Sequence, residues 1–215
     1  MNAARAPTRE RLLDAGTRLA RRAGLRALTV RGVCDAVDAN PGTFVYHFGT
    51  RDAFLAELIE RWYAPLMGEL TDTLETGGPP LAQLRTLLLQ LAGWASANSR
   101  FITTLVVDAA AGEKAAQQFL RSLAGRHPPL ILHVLREGQK AGVLRPADPL
   151  HQMLFLMSSL ALPILLADRV AGSGLAPPTL ATALRRCARD RASIEQRLDW
   201  ALAGLSKEAA DEAHR

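Results

Sequence analysis

Apolar positions along this chain recur at spacings of three and four, and no stretch shows the strict alternation that marks a half-buried strand. Leu12, Ala15, Gly16, Leu19, Ala20 and Ala23 make one face of a first helix, with Thr8 offering an N-cap and Gly24 a C-terminal stop. Val30, Val33, Cys34 and Val37 fall at i, i+3, i+4 and i+7, which predicts a second helix of about two turns capped by Thr29. Asp38, Ala39 and Asn40 make a turn, and Asn40 caps a third helix whose first residue is Pro41. From Arg51 a fourth helix carries Phe54, Leu55, Leu58, Ile59, Trp62, Leu66 and Leu70 on one face, and Pro65 inside it predicts a kink over 61–65.

Gly77-Gly78-Pro79-Pro80 is the clearest break in the pattern. After it the spacing predicts helices over Leu81–Ala97, Arg100–Ala111, Gly112–Leu123, Pro128–Gly142, Leu150–Val170 and Thr179–Leu205. The expected fold is therefore all-α with nine or ten helices. Residues 1–7 read as a disordered arm carrying Arg5, 8–50 as a three-helix unit, 51–205 as a larger helical domain, and 206–215 as a polar tail.

The third helix separates two faces. Pro41, Phe44, Val45 and Phe48 gather on a side expected to be packed, while Gly42, Thr43, Tyr46 and His47 form a small, polar, exposed side. A helix this short is marginal by itself, so other elements must hold it. Two short capped helices of this kind suit a helix-turn-helix whose second helix enters the DNA major groove, but also the commoner arrangement of an ordinary helical hairpin whose polar face meets water.

The run from Thr8 to Trp62 resembles the N-terminal DNA-binding domain of the TetR family of transcriptional regulators. The resemblance lies in the first amphipathic helix closed by Gly24, Thr29-Val30 opening the second, Gly42-Thr43-Phe44, His47-Phe48 and the basic Arg51. It covers about the first quarter of the chain in detail. The family usually has Gly at the position of Asp38, an aromatic phosphate contact at that of Val45, and Lys at that of Arg51. Asp tolerates a positive φ, and Tyr46 is the candidate to replace the missing aromatic.

The resemblance implies an N-terminal helix-turn-helix domain followed by an α-helical ligand-binding and dimerisation domain. It implies a repressor that binds a palindromic double-stranded DNA operator as a homodimer and is released by a small-molecule effector. Thr29, Arg31, Asn40, Gly42, Thr43, Tyr46, His47 and Arg51 are the candidate DNA contacts, with Arg31 and Arg51 expected to hold phosphates. A mainly apolar pocket is expected beside the C-terminal half of the fourth helix, with Trp62, Leu66, Trp94, Phe101, Thr104, Val107, Asp108, Phe119, His133 and Phe155 as candidate lining. The last two long helices, through Leu150, Met153, Leu154, Met157, Leu160 and Ile164 and through Leu184, Cys187, Ile194 and Leu198, are expected to meet a twofold mate.

Composition narrows this reading. At 215 residues and 48% hydrophobic content the chain can bury a sizeable core. Its net charge of +5 is uneven: Arg5, Arg9, Arg11, Arg18, Arg21, Arg22, Arg26 and Arg31 face only Glu10 and Asp14 up to position 31, which favours an anionic partner beside the helix-turn-helix. Two cysteines, Cys34 and Cys187, suggest no disulfide framework. The N-terminal residues lack the apolar region of a signal peptide, and the most apolar stretch, Met153–Ala167, is shorter than the roughly 20 residues of a membrane span, so no membrane partner and a cytoplasmic protein are expected.

Five histidines, at 47, 127, 133, 151 and 214, form neither an HExxH nor a zinc spacing, and there is no Walker loop. The Gly172-Ser173-Gly174 turn lacks the rest of a dinucleotide fingerprint, and Asp108 with Glu113 is a poor basis for acid/base work. No enzyme, cofactor or metal is called for. The competing readings are a helical binding protein or enzyme of small hydrophobic compounds without a DNA role, and a DNA-binding regulator controlled by a protein partner.

Overall fold

The computed structural model describes residues 7–172, 174 and 176–207. The arm expected over 1–7 and the tail expected over 206–215 lie outside the described residues, save for Pro7, Ser206 and Lys207. Among the described residues the chain forms α1 (Thr8–Ala23), α2 (Val30–Asp35), α3 (Pro41–Phe48), α4 (Arg51–Thr76), α5 (Pro80–Ala110), α6 (Lys114–Ser122), a 3₁₀ turn (Leu123–Gly125), α7 (His127–Lys140), α8 (Pro149–Gly172), α9 (Pro178–Arg189) and α10 (Arg191–Leu205). The expected all-α architecture is present. An isolated antiparallel bridge between Leu144 and Ser206 is the extent of β pairing among these residues.

Packing divides the chain into two units. The first joins the residues up to Pro65 to Arg100–Leu123, and the second joins Leu66–Ser99 to the described residues from Ala124 onward. The boundary expected at Arg51 falls inside the first unit.

In the first unit α1, α2 and α3 pack around Leu12, Leu13, Val33, Cys34, Phe44 and Phe48, with Phe54, Leu55 and Leu58 of α4 completing the core. Gly16 decides how closely α4 approaches: a Cβ there would lie 2.5 Å from the Phe54 ring and 2.8 Å from a Leu58 methyl. Phe44, Phe48 and Phe54 form a triangle of rings with centroids 4.8–5.2 Å apart, and the Arg9 guanidinium lies 5.5 Å over Phe48. Arg9 also pairs with Glu57 at 2.6 Å, and Arg61 of α4 bridges Glu10 and Asp14 of α1 at 3.2 and 2.9 Å. Part of the N-terminal basic excess is therefore engaged within the unit.

The caps follow the sequence with one exception. Thr29 accepts from the Gly32 amide at 3.0 Å, Asn40 from the Thr43 amide at 2.8 Å, and Gly24 ends α1 at φ +85°. Asp38 adopts φ +54°, the left-handed turn for which the sequence offers Asp in place of Gly. Thr8, expected as the first cap, is instead the first helical residue; Pro7 precedes it without a side-chain cap bond.

In the second unit α8 packs against α7, α9 and α10, around a core of Leu135, Leu156, Leu160, Ile164, Leu198 and Leu202. Two expected boundaries are corrected. The break expected between Ala97 and Arg100 is absent, and α5 runs through it as one helix of 31 residues. The polar residues there turn their donors back onto their own helix: Asn98 donates to the Trp94 carbonyl, and Thr103 and Thr104 donate to that of Arg100. The single helix expected over Thr179–Leu205 is two, because Asp190 leaves the helical region at ψ 136° and caps α10 by accepting from the Ser193 amide. Arg197 closes the corner by donating to the carbonyls of Cys187 and Ala188 at the end of α9.

Helix α8 is longer than the sequence pattern indicates. Over Pro149–Ala171, at mean hydropathy 1.7, it is long and apolar enough to cross a membrane by length and composition alone. The fold resolves it into two stripes of period four. Gln152, Leu156, Leu160 and Ile164 are buried, whereas Leu150, Leu154, Leu162, Leu166 and Val170 are exposed. Gln152 holds its place in the buried stripe by donating to the Arg145 carbonyl at 2.9 Å and accepting from Gln139 at 2.9 Å.

His127 opens α7, and burial pushes its imidazole down to about 4. The folded protein thus keeps the ring neutral where the unfolded chain, titrating near 6.5, takes up a proton. This contribution to stability is intact above pH 6.5 and is lost as the pH falls towards 4, by at most roughly 3 kcal/mol. Denaturant titrations at intervals between pH 7 and 4 should show that decline, and His127→Gln should flatten it.

Candidate nucleic-acid interface

The exposed edge of the first unit is built by α2 and α3. Arg31, on the first turn of α2, is 89% exposed along its side chain, with Asp35 one turn away at 3.8 Å. On α3 Tyr46 is 85% exposed and its ring meets His47 edge-on at 5.1 Å. Thr43 donates its hydroxyl to Asn40 at 3.1 Å, so Asn40 and Thr43 form one small polar corner at the start of the helix. Gly42 lies in the same turn and is exposed; a Cβ there would stand 3.1 Å from the Asn40 carboxamide.

The packed face expected for α3 is narrower than the sequence suggests. Phe44 and Phe48 are buried, but Pro41 is exposed and Val45 is 56% exposed. Residues i and i+4 stack on one side of so short a helix, and position 45 stands about 100° round from position 44. Val45 therefore joins Gly42 and Tyr46 on the outer surface.

Arg51 also differs from the expectation of a free phosphate ligand. Its guanidinium donates to the carbonyls of Leu28 and Leu25 at 2.6 and 2.7 Å and to Glu113 at 3.0 Å, and only 29% of the side chain is exposed. Sequence reading had no local signal for this, since Glu113 is 62 residues away.

The residues expected to line a ligand pocket divide between the units. Trp62, Phe101 and Phe119 come together in the first, with Trp62 4.6 Å from Phe101 and 6.2 Å from Phe119, and Tyr63, which the sequence reading passed over, 5.1 Å from Phe119. Thr104 and Asp108 belong to that unit as well, and the Asp108 carboxylate accepts from the Leu25 amide at 2.7 Å. Val107 is 51% exposed. Leu66, Trp94, His133 and Phe155 belong to the second unit, where Leu66 is buried, Trp94 half-buried, and His133 and Phe155 exposed.

Two grooves mark the second unit. One of about 520 Å³ lies between Gln90, Gly93 and Ser96 of α5 and Arg189, Arg191 and Ile194 at the α9–α10 corner. Another of about 360 Å³ is lined by Pro163, Leu166 and Val170 of α8 and by Leu184 and Cys187 of α9. Neither contains an expected ligand residue. Among the described residues no group of three or more His, Cys, Asp or Glu side chains is placed to hold a metal.

Of the residues expected at a dimer interface, Leu160, Ile164, Ile194 and Leu198 are corrected: each is at most 5% exposed and forms the protomer's own core. A helix apolar on every side does not reveal from its sequence which stripe faces inward. Leu150, Leu154, Leu184 and Cys187 are exposed, and Met153 and Met157 are half-buried.

Comparison with known proteins places this geometry. Residues 12–58 match the family described as bacterial regulatory proteins, tetR family. Over 83 residues the chain is 28% identical to the HTH-type transcriptional repressor DhaR of Mycobacterium sp. (strain GP1), a match covering 38% of this chain and 42% of the repressor. The fold is similar to that of the ketosteroid transcriptional regulator KstR2 of Mycobacterium tuberculosis, with a TM-score of 0.65, 20% identity, and 94% and 97% of the two chains covered. It is also similar to SmeT in its triclosan complex, with a TM-score of 0.69, 23% identity, and 94% and 92% covered. The family match falls on the capped α2–turn–α3 unit and its exposed outer face: residues 12–58 are similar to the tetR family of bacterial regulatory proteins, and the chain as a whole is similar in fold to solved regulators.

Proposed function

We propose that this protein is a DNA-binding transcriptional repressor that sits as a homodimer on a palindromic operator and leaves it when a small molecule binds. The observation that carries the reading is the outer face of α3, where Gly42, Val45 and Tyr46 stand exposed on a helix held from behind by Phe44 and Phe48. Small and flat side chains there permit close approach to base edges, and the Val45 isopropyl group suits a thymine methyl. Thr29, Asn40, Thr43 and His47 flank that face, and Arg31 extends from α2 as a phosphate contact. A relative that is a transcriptional repressor supports the direction of regulation.

Release by a small molecule is supported by two neighbours of like fold, SmeT, solved with triclosan, and a regulator from Saccharomonospora viridis, solved with choline. In this chain the converging rings of Trp62, Phe101 and Phe119 are the candidate apolar site for such an effector.

Selection of bound duplexes from random DNA, followed by titration across salt concentration, tests the reading. Arg31→Ala should weaken binding to every sequence and flatten the slope of log K against log salt by about 0.9. Tyr46→Ala should instead change which sequences are selected. Absence of salt-dependent binding to any duplex sinks the proposal.

A further inference from the structure

The turn between α5 and α6 brings two buried carboxylates, Asp108 and Glu113, into the first unit at 6% and 8% exposure. Asp108 meets the corner between α1 and α2 directly, and Glu113 meets it through Arg51 at the start of α4. Asp108 accepts from the Leu25 amide at 2.7 Å, while Glu113 accepts at 3.0 Å from Arg51, whose other donors hold the carbonyls of Leu25 and Leu28. Leu25 is thus gripped at both ends of its backbone, its N–H by a carboxylate and its C=O by a guanidinium. Gly24 makes the approach possible: at φ +85° it places Asp108 2.9 Å from where a Cβ would stand. Leu28, the last residue of this corner, directly precedes Thr29, the cap of α2.

We propose that Arg51, Glu113 and Asp108 are positioning residues, a fastening through which the segment Arg100–Leu123 sets the placement of α2 and α3, and that Arg51 is not a phosphate contact. The proposal rests on the DNA-binding reading above. Three internal acceptors surround the guanidinium, with Asp52 at 3.8 Å as a further neighbour. Swinging it out to a phosphate would leave Glu113 charged and buried without its partner, which is strongly unfavourable. Displacing the α5–α6 turn strips the acceptor from the Leu25 amide and from Arg51 together, so the turn and the helix-turn-helix move as one piece.

The test uses the full chain and the duplex recovered by selection. Glu113→Gln and Asp108→Asn, both of unchanged size, should weaken binding by about tenfold. The salt slope should stay at the wild-type value, and hydrogen exchange of the amides from Leu25 to Thr29 should accelerate. Arg51→Gln should behave in the same way. If Arg51→Gln flattens the slope by about 0.9, the residue is a phosphate contact and the proposal is overturned. Wild-type affinity and wild-type exchange in both carboxylate variants overturn it too, and they decide the matter should Arg51→Gln fail to fold. A wild-type chain that binds no duplex refutes the DNA reading instead, and the exchange measurements then judge the fastening by themselves.

Discussion

Phe44→Ala is expected to destabilise the first unit by about 3–5 kcal/mol and to abolish operator binding with it. The ring is 1% exposed and touches both Phe48 and Phe54, so its removal opens a cavity lined by two aromatic faces that cannot collapse around a smaller side chain. Helix α3 is eight residues long, and such a helix survives in water only while its inner face is packed. Loss of the ring therefore removes both the packing and the helix that presents Gly42, Val45 and Tyr46. Urea titration followed by far-ultraviolet dichroism, beside a binding assay, checks this. A midpoint within experimental error of wild type would show that α3 is held by something other than the aromatic triangle.

If the homodimer proposed above meets through the outward stripe of α8, Leu154→Glu is expected to convert it into a folded monomer. Leu154 is 55% exposed on the outward stripe of α8, so a carboxylate there costs the isolated subunit little. In a twofold contact it would instead be desolvated opposite leucine. Leu198→Glu gives the contrasting case: that residue is fully buried in its own protomer, and its replacement should unfold the second unit whether or not a partner is present. Sedimentation and thermal melting distinguish the two. The Leu154 variant should melt like the wild type at low concentration and sediment at half the mass. It should also lose about two orders of magnitude or more of affinity for a two-half-site duplex, because the second head no longer binds at the effective concentration set by the first. A dimer that persists in Leu154→Glu places the contact elsewhere.

The parts of the fold legible in the sequence are those set by local chemistry. Thr29 and Asn40 cap their helices, Gly24 closes α1, and Asp38 takes the left-handed turn, each for a reason contained within four residues. The α9–α10 break had its signal too, an Asp three residues before a Ser, but a run of apolar residues at helical spacing on both sides concealed it. The continuity of α5 was hidden by the opposite error, since Asn98, Ser99 and Arg100 suggest a break, yet Asn98 turns its donor back onto the helix and Ser99 packs inside.

What the sequence withheld is long-range. Nothing near Arg51 announces Glu113, and nothing near Gly16 announces the Phe54 ring it accommodates. The burial of Leu160 but not Leu162 depends on which neighbours α8 meets, and that is decided by the whole of the second unit. Likewise Trp62, Phe101 and Phe119 converge across 57 residues of chain, so their type suggested an apolar site while their meeting did not follow from it.

The two thiols differ enough to serve as separate chemical handles. Cys34 is 1% exposed, and burial, then the neighbouring Asp35, raises its thiol above the usual range, which keeps it protonated and shielded. Cys187 is exposed on α9, in the groove it shares with Leu184. A maleimide dye at neutral pH should therefore mark each folded chain once, at Cys187, and its emission would report the polarity of that groove as a mate covers or leaves it. A second equivalent of dye would enter only when α2 comes away from its neighbours, so the stoichiometry of labelling doubles as a clock for opening of the helix-turn-helix.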